Sequence, residues 1–146
     1  LQCIRIMIMA DNRQTHLGMI QGVINRLARN SFMLKGWSVL LVSALLAYSA
    51  NTSEEIILFV ALLPAISFWV LDGYYLWKER LYRDLYNIVR LLEEDEIDYS
   101  LDVKHILHND NELKKTWIGA IVASATTLFY LMICATIGSM LLYNIY

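Results

Sequence analysis

Lysine and arginine are missing from two long parts of this 146-residue chain, residues 36–77 and 116–146; all twelve lie in residues 1–35 and 78–115. Apolar tracts of that length, with 58% hydrophobic residues and a mean hydropathy of +0.45, exclude an ordinary soluble domain. Cysteine is scarce. Cys3 near one end and Cys134 inside an apolar run make no disulfide framework and are expected to be free thiols. Catalytic signatures are missing as well: there is no GxSxG, Walker A, HExxH or CxxC pattern, so no enzyme and no cofactor are expected. The short apolar run 6–10 does not amount to the core of a secretory signal peptide, and the first spanning helix is expected to act as the targeting signal.

The charged residues are distributed unevenly. The net charge of −2 splits into +4 over residues 1–35, −3 over 78–115, and −3 from Glu54, Glu55 and Asp72. Cytoplasmic loops hold an excess of Lys and Arg near membrane ends, which puts both basic stretches on the cytoplasmic side. Residues 36–53 are eighteen consecutive uncharged positions, giving an expected helix over about 34–51. Residues 51–55 turn the chain, with Ser53 as a helix cap and Glu54 and Glu55 suited to a helix N-terminus. A second span is expected over 56–77, bent near residues 60–64 by Pro64, the one proline. Residues 116–146 are thirty-one uncharged positions; a third span over about 116–141 leaves Tyr143, Asn144 and Tyr146 at the far interface.

The expected fold is therefore an all-α membrane protein with three transmembrane helices, a hairpin plus a third span. It divides into an N-terminal cytoplasmic segment 1–35, the hairpin 36–77, a cytoplasmic helical segment 78–115 and the third helix 116–146. The N-terminus lies inside and the C-terminus outside, in a bacterial inner membrane. Both cytoplasmic segments are amphipathic. Leu17, Ile20, Ile24 and Leu27 recur at helical spacing with Arg26 and Arg29 off that face, a stripe for the membrane surface or a partner; Leu81, Leu85, Ile88 and Leu92 do the same beyond the second span. Tyr82 and Tyr86 suit a headgroup or intersubunit contact. A turn at 93–98, a short helix over 101–107 and a cap at 109–111 complete the segment.

Asp72 is the ionisable residue inside an apolar run, six positions before Lys78. It reads as a structural tie, partnered by Lys78 or Arg80, or as part of an ion pathway. Trp37, Trp69, Tyr74, Tyr75, Trp77 and Trp117 read as an interfacial aromatic belt, with base stacking on Tyr74 or Tyr82 as the sharper alternative. On the third span Ala120, Ser124, Thr127, Leu131, Cys134 or Ala135, and Gly138 share a face. The pairs Ala120–Ser124 and Ala135–Ser139 suit close helix packing; the alternative is a pore lining of Ser124, Thr127, Leu131, Cys134 and Gly138, Leu131 being its apolar constriction. His105, His108 and Asp110 lack the ligand set of a metal site, and the acidic run 93–98 lacks the alternation of a calcium loop; no metal is expected.

The stretch Asn30-Ser-Phe-Met-Leu-Lys-Gly-Trp37 enters the hairpin and Trp69-Val-Leu-Asp-Gly-Tyr-Tyr-Leu-Trp-Lys-Glu-Arg80 leaves it. In this layout, over residues 14–95, the chain resembles the SLATT-type bacterial membrane effectors, two-span domains associated with nucleotide-signalling defence; the third span is additional. The resemblance implies an oligomeric pore or ion channel of the inner membrane, controlled by a nucleotide or oligonucleotide from a partner nucleotidyltransferase and acting in antiphage defence. On that reading the chain forms a homo-oligomeric ring such as a tetramer, and Arg26, Arg29, Lys35, Arg80 and Arg83 attract the anionic ligand. The alternatives are a non-conducting membrane anchor that recruits a cytoplasmic partner, and a holin, which forms large lesions without a ligand.

Overall fold

A computed structural model describes residues 2–52, 55–104, 117–122 and 124–145. Among them every regular element is helical: α1 (Gln2–Thr52), α2 (Glu55–Val89), a 3₁₀ turn (Glu94–Glu96), α3 (Trp117–Ile121) and α4 (Ser124–Ile145). Three of these helices are long and apolar enough to cross a membrane, over Asp11–Thr52, Glu55–Val89 and Ala125–Tyr143.

The amphipathic segment and the first apolar run form one helix of 51 residues, about 77 Å long. The boundary drawn at residue 35 is thus a change of surroundings along one rod. Nothing stops the helix there: the stretch has no proline, and Gly18, Gly22 and Gly36 each cost only about 1 kcal/mol relative to alanine. At its far end Asn51 Nδ2 and Thr52 Oγ1 bond the carbonyls of Ala47 and Tyr48. The chain reverses, and α2 runs back through Pro64 without interruption to Val89, some 52 Å away. Ser53, the expected cap, lies outside the described residues.

Two cores hold the hairpin together. The one nearer the turn joins Val42, Leu58, Ala61, Ala65 and Ile137 of α1, α2 and α4. The other, in the arm that extends away from it, joins Ile20 and Ile24 of α1 to Leu81, Leu85 and Val89 of α2, closed by Ile97 and Val103. The stripe on α1 therefore packs on α2 of the same chain. On α2 the expected Ile88 is exposed and Val89 is buried in its place. The arm is packed by the returning segment at i+4 spacing, 81–85–89, which turns position 88 outward. Tyr82 and Tyr86 are half-buried against this core. Of the expected short helix over 101–107, residues 101–103 are irregular. Its later part, the cap at 109–111, His105, His108 and Asp110 lie outside the described residues.

The third apolar run is two helices, not one. α3 ends at Ile121 and α4 starts at Ser124. Apolar side chains dominate the outside: within the spanning windows of the three long helices only 17%, 28% and 17% of residues are buried. Phe32, Phe59, Leu63, Met132 and Leu142 are all more than half exposed, a surface that needs lipid or another chain against it.

Gly73 is where α3 meets α2. A Cβ there would clash with the Ile121 side chain and lie 3.0 Å from the Ile121 Cα, so the helices approach closely because residue 73 has no side chain. Gly73→Ala is expected to lower stability by about 1–3 kcal/mol, read as an earlier thermal transition in detergent, whereas Gly138→Ala, with open space around the new methyl, leaves the transition in place.

Candidate functional site

Between the two cores lies a polar layer built by heptad spacing. Ile24, Ser31 and Ser38 are buried on α1, and Leu58, Ala65, Asp72 and Glu79 on α2, each seven positions apart, the repeat that keeps one seam facing a partner helix. Asp72 is fully buried. Ser31 Oγ donates to one of its carboxylate oxygens and Lys35 Nζ to the other. Lys35 Nζ also donates to Ser31 Oγ at 3.0 Å, which closes a three-membered network across the hairpin. The lysine side chain stays 27% exposed, so its stem is packed while its head keeps contact with the surroundings.

Asp72 was expected to find a partner on its own helix, in Lys78 or Arg80. Its bonds go to the opposite arm instead. Lys78 is held by aromatic rings, its Nζ 4.9 Å from the Trp77 centroid and 5.9 Å from that of Tyr74. The signal for the true partner was in the numbering: Lys35 and Asp72 stand equal distances before and after the turn at 53–54, so an antiparallel hairpin sets them opposite each other.

The same level ties in the third apolar run. The Ile121 carbonyl, where α3 ends, accepts Trp69 Nε1–H at 3.1 Å and Thr127 Oγ–H at 3.1 Å. The end of a helix frees carbonyls that need other donors, and here a tryptophan of α2 and a threonine of α4 both donate to that of Ile121. Trp69 stacks on Tyr130, with centroids 6.1 Å apart and planes 13° apart. Tyr130 and Ser38 are fully buried, and their hydroxyls have no hydrogen-bond partner among the described residues.

The buried seam of α4 is Thr126, Tyr130 and Ile137. The candidate pore residues flank it: Thr127, Cys134 and Gly138 are half-buried, Leu131 is 51% exposed, and the Ser124 side chain lies outside the described residues. Of the small pairs, Ala120 is buried on α2, while Ala135 and Ser139 face outward. Ser139 and Thr136 bond carbonyls of their own helix. Cys134 is a free thiol.

The candidate anion-binding residues do not converge. Lys35 is committed to Asp72. Arg26 and Arg29 are exposed on the side of α1 turned from the core, and Arg80 is half-buried on α2. Arg83 bonds the buried carboxylate of Glu79 at 2.6 Å. It lines a groove of about 310 Å³, with Gln21, Asn25, Tyr86 and Asn87 among its walls. A second hollow of about 340 Å³ lies farther along the arm between Asn12, Thr15, His16, Met19 and Tyr99.

Comparison with family models, curated proteins and solved structures finds no match to this chain.

Removing one member of the ion pair leaves the other stranded. Lys35→Met should cost roughly 3 kcal/mol, and the Lys35→Met/Asp72→Leu double variant should recover most of it. Denaturant titration in micelles reads this out; strictly additive losses would show that the two groups are not coupled.

Proposed function

We propose that this chain crosses a bacterial inner membrane three times with its N-terminus in the cytoplasm. There it assembles as a homo-oligomeric ring and serves as a pore or ion channel controlled from its cytoplasmic arm by an anionic nucleotide or oligonucleotide, in antiphage defence. The observation that carries the reading is the unbroken course of α1 and α2 from arm to turn, with the third run hinged on them. Two stiff rods clamped by Lys35 and Asp72 move as levers. A displacement of the arm reaches Ile121 through Gly73 and Trp69, and the interruption before Ser124 lets α4 respond.

Other features support the membrane and ring. The basic residues fall on one side of all three crossings, and the apolar exterior needs lipid or neighbouring copies. Three helices cannot enclose a pathway alone, whereas a symmetric ring can. In such a ring the flank of α4 carrying Thr127, Leu131, Cys134 and Gly138 borders the pathway. The groove at Arg83 gives an anion a concave seat between the two arm helices, so ligand binding there changes how α1 and α2 lie against each other.

A non-conducting anchor is the second reading, favoured by the full engagement of both Asp72 oxygens, which makes that carboxylate a tie and not a station for ions. Planar-bilayer recording of the purified chain with and without a panel of cyclic dinucleotides separates the two. Discrete currents that change with one of the dinucleotides and lose that response in Arg83→Glu are the expected result. Silence from protein shown to be inserted would sink the channel and leave the anchor; large ligand-independent lesions would make it a holin.

A further inference from the structure

Four cations of the arm, Arg26 and Arg29 exposed and Lys78 and Arg80 half-buried, lie at similar depths although they do not share a pocket. The hairpin turn and the Lys35–Asp72 pair are 17 residues apart along either helix, about 26 Å, and a hydrocarbon layer of about 30 Å starting at the turn ends roughly 4 Å beyond the pair. Headgroups occupy about the next 5–8 Å. Counted from the pair, Arg29 and Lys78 lie about 9 Å down their helices, Arg80 about 12 Å and Arg26 about 14 Å. Arginine side chains are long enough to reach back from the two deeper positions. Trp37, Tyr74 and Trp77 fall between these cations and the ion pair or just above it, at the depth aromatic side chains favour.

Direction separates two kinds of anionic partner. A soluble phosphate compound needs cations that converge on one place, and Arg26 and Arg29 point away from α2 while Lys78 is held on the rings of Trp77 and Tyr74. A layer of lipid phosphates surrounds the protein and needs only a common depth. Arg83, the deeper cation, is bound to Glu79 and belongs to the groove.

We infer that Arg26, Arg29 and Lys78 form a belt that binds anionic phospholipid headgroups of the cytoplasmic leaflet, fixing the height of the arm. This rests on the membrane reading above and is independent of conduction. The aromatic rings over Lys78 keep its ammonium at headgroup level, and the two arginines hold the opposite side of the hairpin.

The test uses the full chain reconstituted in vesicles, with energy transfer from its tryptophans to dansyl-labelled phosphatidylglycerol or dansyl-labelled phosphatidylcholine. The expected result is stronger transfer to phosphatidylglycerol that falls in high salt, with selectivity reduced about fivefold for each cation removed in Arg26→Gln/Arg29→Gln and, separately, Lys78→Gln. Equal transfer to both lipids overturns the belt while leaving insertion intact. Loss of the selectivity on adding inorganic phosphate at constant ionic strength overturns it in favour of a soluble-anion site. No transfer to either lipid overturns the membrane reading along with it.

Discussion

A carboxylate buried between two apolar helices is the constraint around which this molecule is arranged. Left alone, Asp72 would cost several kcal/mol to desolvate; with Lys35 and Ser31 on its two oxygens it becomes a bond between the arms. Apolar helices can slide past one another by a turn with little loss, because one leucine contact resembles the next. An ion pair cannot. A one-turn slip would strand both charges, so the pair sets the register of the hairpin and brings Ile20, Ile24, Leu81 and Leu85 together in the arm.

The third apolar run depends on that register. Gly73 follows Asp72 directly, and Trp69 lies one turn before it, so fixing Asp72 also fixes the flat site against which Ile121 packs and the indole that bonds its carbonyl. Cutting the run there costs helical hydrogen bonds, which Trp69 and Thr127 partly replace. The joint that results is polar, close-packed and made from three helices, while α4 beyond it packs on the hairpin through Tyr130 and Ile137, with Ile133, Met140 and Leu141 beside them. The ion pair thus stands in one polar layer, with a long arm on one side and α4 packed on the turn-side core on the other.

Much of this could be read from residue order alone. The absence of basic residues marked the three apolar helices, the spacing of Ile20 and Ile24 marked the inner face of the arm, and Asp72 stood out as the ionisable residue in an apolar run. What failed has identifiable causes. Lys35 closes a basic stretch with Arg26 and Arg29, and sequence shows neighbours along the chain and not across a hairpin. The helical spacing points to Ile88, because nothing nearby in the sequence shows that Val89 shares a core with Ile97 and Val103. The break after Ile121 had no local mark at all: no proline falls there, and Trp69, which accepts the role of the missing helical donor, is 52 residues away.

The spacing of the ion pair also bears on how such a hairpin is made. Lys35 leaves the ribosome 37 residues before Asp72, so during that interval the first arm carries a cation with no counter-charge at the edge of its apolar stretch. A lone lysine well inside a helix resists insertion by about 2.5–3.5 kcal/mol, less toward the helix end. On the membrane reading proposed above, the first helix is therefore a reluctant passenger by itself and a stable one once its partner has emerged. On that reading one bond links synthesis to insertion, and a substitution at Asp72 would act on the nascent chain before any folded protein existed to be weakened.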